Sequence, residues 1–242
     1  MDKNAIFNHY SAILDRLVDT NLFFPYFLQT PNGLDEDVLG LLGGNINLHF
    51  GATRACFEDI DYPYVVKMNL QNRRDCEREE YVYIDAVNND LQDYFAEVCY
   101  IGMYSRTINF YDSREIEENI SEFYDIADFE SNFMNEEEEF GDIQTITLNV
   151  PLYAYARAVP HRFQSHYDDE EEELFEVVEN IRSPLVDEQR AIGMEFVMNY
   201  GEDEYARLSE FLLDEDINDI HAGNVADIDG RLVIIDYSGF YY

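Results

Sequence analysis

Tryptophan is absent from this 242-residue chain, proline occurs 6 times and cysteine 3 times. Positive charge is scarce as well, with 15 lysines and arginines against 52 aspartates and glutamates, a formal net charge of −37. A field of that sign repels nucleic-acid backbones and anionic membrane surfaces and steers the protein toward basic partners. The cysteines, Cys56, Cys76 and Cys99, lie far apart with no paired spacing. That excludes a disulfide framework and a cysteine-based metal motif, and it fits a reducing compartment. No apolar run approaches the length of a membrane span, and Met1-Asp2-Lys3-Asn4 leads into a mixed polar stretch unlike a secretory signal. The expectation is a soluble, cytoplasmic protein that engages neither nucleic acid nor membrane directly.

What the chain does have is apolar material. A hydrophobic content of 46%, with 15% aromatic residues, excludes general disorder and suffices for one or two compact lobes.

Residues 5–28 read as an amphipathic packing helix, with Ile6, Tyr10, Ile13, Leu14, Leu17 and Val18 at helical spacing. An aromatic cluster, Phe23 to Phe27, then ends at a Pro31-Asn32-Gly33 turn. Leu39 to Met68 reads as three short strands, and the glycines gathered there (Gly40, Gly43, Gly44, Gly51) permit close backbone approach to a phosphate. The third strand, Tyr64-Val65-Val66-Lys67-Met68, carries a single lysine in an apolar run. Cys76 to Val98 is a long helical candidate with Tyr81, Ile84, Val87 and Leu91 on one side. A strand over 101–111 leads into an acidic insertion, 112–142, that mixes carboxylates with apolar residues at helical spacing. Residues 143–155 alternate toward another strand, in which 149–152 could form a hinge. Helices follow over 170–181, 187–199 and 205–213. The acidic run Asp168 to Glu173 suits the start of the first of these.

The most informative stretch is Asn218 to Tyr242. Asp219 is followed by His221 and Asn224, and an Asp229-Gly230 turn then leads into the apolar run Leu232 to Ile235. Turn chemistry between two apolar pieces predicts a hairpin. That hairpin returns Asp236 to the neighbourhood of Asn224 and Asp219. Two carboxylates and a carboxamide are hard oxygen donors, suited to Mg²⁺ and unsuited to zinc.

Asp219-Ile220-His221-Ala222-Gly223-Asn224 resembles the catalytic loop of the protein-kinase-like superfamily, in a His-bearing variant similar to aminoglycoside-kinase-like enzymes and small tailed-phage kinases. Asp236-Tyr237-Ser238-Gly239 is similar to that superfamily's metal-binding segment, with one residue inserted before the glycine. The resemblance implies an α+β, two-lobed fold with a mostly antiparallel N-lobe sheet and a reduced helical C-lobe. In it, an N-terminal helical segment (1–38) precedes an N-lobe (39–155) carrying the acidic insertion, and a C-lobe (156–242) follows.

It also implies roles. Asp219 would be the catalytic base, Asn224 and Asp236 the Mg²⁺ ligands, and Lys67 the contact to the ATP phosphates. Glu80, or alternatively Glu77, would orient Lys67. Gly51 and Ala52 would lie in the hairpin tip covering the nucleotide. Because ATP is itself an anion in this acidic field, Mg²⁺ and local basic residues are required.

The implied activity is an ATP- and Mg²⁺-dependent serine/threonine protein kinase of phage type. It would act in the host cytoplasm on basic proteins such as nucleic-acid-binding enzymes. The sequence runs only six residues past Asp236, short of the family's peptide-binding region. The acidity itself supports a different class, a kinase-like scaffold that inhibits such an enzyme by imitating DNA. A salt-adapted protein and a small-molecule kinase are the remaining readings.

Overall fold

A computed structural model of the protein describes residues 1–19, 45–50, 54–69, 74–109, 145–163, 172–182, 190–218 and 220–238. The chain divides into two compact units, 1–76 with 99–155, and 77–98 with 156–242. The expected nucleotide-covering residues Gly51 and Ala52, the catalytic-base candidate Asp219 and the insertion 112–142 lie outside the described residues.

In the first unit, the side chain of Asp2 accepts from the backbone N–H of Ala5 at 3.1 Å and caps helix α1, Lys3–Asp19. Ile6, Tyr10, Ile13 and Leu14 recur on one helical stripe, and each is at most 1% exposed. The helix meets a five-stranded sheet: β1 Ile46–Phe50, β2 Arg54–Asp59, β3 Tyr64–Asn69, β4 Val98–Asn109 and β5 Thr145–Ala156, in the order β1-β2-β3-β5-β4. Strands β1, β2 and β3 pair antiparallel. In the β2–β3 register, Ala55 faces Met68 and Phe57 faces Val66, and all four are buried, so alternation sets one apolar face.

Polar contacts fix α1 on this sheet. The Tyr10 hydroxyl donates to the carbonyl of Tyr64 at 2.5 Å and accepts from the N–H of Asp59 at 3.3 Å. Asp15 accepts from the Tyr104 hydroxyl at 2.9 Å and from Arg106 at 2.6 Å. Gly102 makes the close approach possible, because a Cβ there would sit 2.8 Å from the ring of Phe7.

In the second unit, helix α2, Asp75–Asn88, contributes its part from Glu77 onward. The helix stops ten residues short of the expected end. Asp90 adopts φ 57° and the N–H of Leu91 turns back to the carbonyl of Ala86 at 2.8 Å. Its buried stripe is also not the expected one: Cys76, Glu79, Val82 and Ala86 are fully buried, whereas Tyr81, Ile84 and Val87 face outward.

Helices α3 Glu172–Asn180, α4 Arg190–Tyr200 and α5 Glu202–Asp214 follow. A three-stranded sheet completes the unit: β6 Val159–Pro160, β7 Val225–Ile228 and β8 Arg231–Ile234, antiparallel and in that order. Phe95 joins its apolar centre, ring to ring with Phe211 and Tyr237 at 5.6 and 5.0 Å. The architecture is mixed α+β, with an antiparallel meander and five α-helices among the described residues. No helix among them is long and apolar enough to cross a membrane.

Candidate functional site

The loop after α5 is anchored from below. Ile217 and Ile220, on either side of Asp219, are each 1% exposed, and the Ile217 N–H bonds the carbonyl of Leu212 at 2.8 Å. His221 then turns the chain, its Nδ1 accepting from the N–H of Gly223 at 3.0 Å. Its carbonyl accepts from the N–H of Asn224 at 2.8 Å, which closes a 3₁₀ turn over Ala222–Asn224. The histidine of the loop thus serves as a local cap. Asn224 ends the turn 8% exposed.

The hairpin forms as its turn residues dictate. Asp229 and Gly230 both take positive φ, 52° and 77°, the requirement of a two-residue turn with the strand's own twist. The register that follows pairs Val225 with Ile234 and Ile228 with Arg231. One step beyond, the N–H of Ile235 donates to the carbonyl of Asn224 at 2.9 Å. Asn224 and Asp236 are therefore brought to the same end of one hairpin. Their carboxamide and carboxylate are oxygen donors of the kind Mg²⁺ takes, and they fit that ion's chemistry. Among the described residues, no three His, Cys, Asp or Glu side chains gather as a metal-binding group.

The residue after Asp236 is held on every side. Tyr237 is 0% exposed, its hydroxyl donates to the carbonyl of Ala96 at 2.8 Å, and its N–H donates to Glu79 Oε1 at 3.0 Å. Glu79 is itself 0% exposed. Of the α2 glutamates it is this one that enters the core, while Glu77 and Glu80 are half-buried. Glu79 escaped sequence reasoning, because a carboxylate interrupts the apolar stripe of Cys76, Val82 and Ala86 with which it is buried.

A second polar group ties the end of edge strand β6 to the central strand β7. His161 Nδ1 lies 3.0 Å from both carboxylate oxygens of Asp227 on β7. A carboxylate only accepts, so Nδ1 carries the proton. His161 Nε2 stands 3.9 Å from the buried carboxylate of Glu195 on α4.

Within the first unit, Lys67 lies on β3 opposite Cys56 of β2, and its Nζ sits 4.3 Å from the ring centre of Tyr155 on β5. That is a cation–π distance, and it directs the lysine along the sheet face. Searches of protein-family models, of curated proteins and of solved structures return no match for this chain.

Proposed function

We propose that the protein is an Mg²⁺- and ATP-dependent phosphotransferase, a phage-type serine/threonine protein kinase acting on basic host proteins. The observation that supports this reading is the Ile235 to Asn224 hydrogen bond, which pairs Asn224 with the residue before Asp236 at the end of the β7–β8 hairpin. Asn224 and Asp236 would hold Mg²⁺, which when bound neutralises phosphate charge. Asp219 would orient and deprotonate the acceptor hydroxyl, and Lys67 would bind phosphate. A glutamate of α2 would orient Lys67; Glu80 is the residue the family resemblance points to. Catalysis of this kind rests on positioning and charge neutralisation, which a hairpin with fixed register supplies. The net charge of −37 would draw in basic acceptor proteins.

The same charge favours a second reading: an acidic scaffold that occupies the nucleic-acid cleft of a host enzyme without catalysis. Transfer of labelled γ-phosphate from ATP in the presence of Mg²⁺ and a basic host lysate separates the two. Labelling that disappears in Asp236→Ala and in well-folded Asp219→Ala is the expected result. Equal labelling in both variants would refute the assignment of these residues. Absence of transfer, together with absence of Mg-ATP binding by calorimetry, would leave the scaffold reading. That reading predicts a partner complex that weakens steeply as salt rises.

A further inference from the structure

The geometry points to a proton-operated clasp at the corner where β6, β7 and α4 meet: we infer that His161 takes a second proton, on Nε2, and in that state ties α4 to β7 through Glu195 and Asp227. The ring already donates from Nδ1 to the two carboxylate oxygens of Asp227, each 3.0 Å away. Nε2 of the neutral ring is then a lone pair. It is buried, makes no hydrogen bond among the described residues, and stands 3.9 Å from Oε2 of Glu195. The side chains of His161 and Glu195 are 13% and 7% exposed. Two acceptors therefore face each other largely out of water, where an unpaired polar atom is costly.

A proton on Nε2 resolves that opposition. It turns the acceptor into a donor and sets a positive ring between two carboxylates, where water screens little. The separation of 3.9 Å is an ion-pair distance and longer than a hydrogen bond, so the neutral ring makes no joint to α4. The joint to β7 is made in both states, because Nδ1 keeps its proton. Acidification thus tightens one side of the ring only, the side that α4 supplies. That contribution is complete where the ring is charged and is lost as pH rises through its titration. A divalent metal would need more donors than this pair. Among the described residues, no three His, Cys, Asp or Glu side chains gather as a metal-binding group.

Other charged and titratable groups near this corner turn to other partners or to solvent. Tyr200 of α4 donates its hydroxyl to the carbonyl of Leu232 at 2.6 Å. Its phenol is pushed up chiefly by burial, with the charge of Asp227 among the lesser causes. Arg231 of β8 bonds Asp93 at 2.5 Å. Arg162, the next residue after His161, is exposed. The ring of Phe163 stands nearly perpendicular to the imidazole, with centres 4.8 Å apart. Strand β7 begins at Val225, directly after Asn224, so the clasp sets how firmly α4 holds the strand that leaves the candidate site. This inference does not depend on phosphotransfer.

The test uses the full chain, isotope-labelled at the histidine ring nitrogens for NMR, across about pH 5 to 8, where histidine titrates. Amide hydrogen exchange over α4, read as protection factors, is the second readout. The His161 signals are assigned by their loss in His161→Gln. We expect Nδ1 to carry a proton at both ends of the range and Nε2 to gain one at the acid end. Protection over α4 should be at least about fivefold higher at the acid end, the upper limit for exposed ion pairs, because this one is buried. In Glu195→Gln the amide can donate to the neutral Nε2. The pH difference should therefore vanish there, with protection at the alkaline end rising above wild type. A wild-type Nε2 that stays proton-free at the acid end would overturn the proposal, as would α4 protection that is equal at both ends; neither result needs the variant to fold. The same pH difference in wild type and in folded Glu195→Gln would overturn the role of Glu195. Alkaline protection that rises when zinc is added to chelator-treated wild type, and not in Glu195→Gln, would give the pair to a metal and overturn it too.

Discussion

The carboxylate of Glu79 accepts a hydrogen bond from the backbone N–H of Tyr237 at 3.0 Å, across 158 positions of sequence. Both residues are fully buried, so the bond is made out of water, where leaving a polar group unpaired is costly. Because Tyr237 directly follows Asp236, the α2 carboxylate fixes the backbone next to the candidate metal ligand. Replacing Glu79 by alanine strands that N–H in the core. We expect a loss of about 2–3 kcal/mol in urea unfolding, with Glu79→Gln, which keeps an acceptor, losing less. If the phosphotransferase reading holds, Mg-ATP affinity falls in Glu79→Ala as well. Equal stability of wild type and Glu79→Ala would show that the contact contributes nothing.

Tyr10 tests the other unit. Its hydroxyl bridges the Tyr64 carbonyl and the Asp59 N–H, so Tyr10→Phe is expected to cost about 1–2 kcal/mol. Burial, with the nearby Asp59 charge contributing, pushes the phenol well above the ordinary tyrosine range. A group whose folded value is raised contributes stability that is complete below the unfolded value. That contribution is lost as pH rises through the folded value. The wild type should therefore lose stability with pH above about 10, the unperturbed tyrosine value. The Tyr10→Phe variant should lose less of it, as thermal melts across the alkaline range would show.

Much of this architecture is legible in the residues, and the reasons for the rest are physical. Asp229-Gly230 between apolar pieces announced the β7–β8 hairpin because positive φ at both positions is demanding and local. Tyr64 to Met68 read as a strand because it is a short apolar run that follows a turn. The face of α2 did not read correctly. Two stripes compete on it, and the one that looks more apolar, Tyr81, Ile84 and Val87, is outside, while the buried one carries Glu79. Hydrophobic periodicity cannot anticipate a carboxylate that enters the core to meet a backbone N–H from a remote segment. Strand β6, two residues long, has no period to detect, and the Asp227–His161 pair is assembled across 66 positions. The return of the chain beside Asn224 was legible because one short hairpin makes it. The roles of Asn224 and Asp236, like those of Lys67, Glu80 and Asp219, rest on resemblance.

Gly102→Ala probes the approach of α1 to β4. A Cβ at this position would fall 2.8 Å from Phe7 Cδ2, and the backbone φ of 153° is one that side chains rarely adopt. Overpacking of this kind costs about 1–3 kcal/mol. The double variant Gly102→Ala, Phe7→Ala removes the clash, so its loss should be smaller than the sum of the two single losses. Strict additivity in denaturant melts would mean that the ring moves aside freely.

The Tyr94–Glu204–Arg207 group gives the acid counterpart. Glu204 accepts from the Tyr94 hydroxyl at 2.6 Å and from Arg207 at 2.8 Å. The tyrosine hydrogen bond first, and the arginine second, hold its carboxyl below the usual glutamate range. A lowered folded value contributes stability that is present above the unfolded value. The contribution is lost as pH falls through the folded one. Glu204 is solvent-facing, so screening keeps the effect small and salt should reduce it further. We expect Glu204→Gln to flatten the acid limb of the stability curve relative to wild type. The phenol of Tyr94 is raised chiefly by burial and next by this same carboxylate, so its spectrophotometric titration should shift down in the variant but stay above that of free tyrosine. A Tyr94 titration identical in both proteins would show that the hydrogen bond to Glu204 does not form in solution.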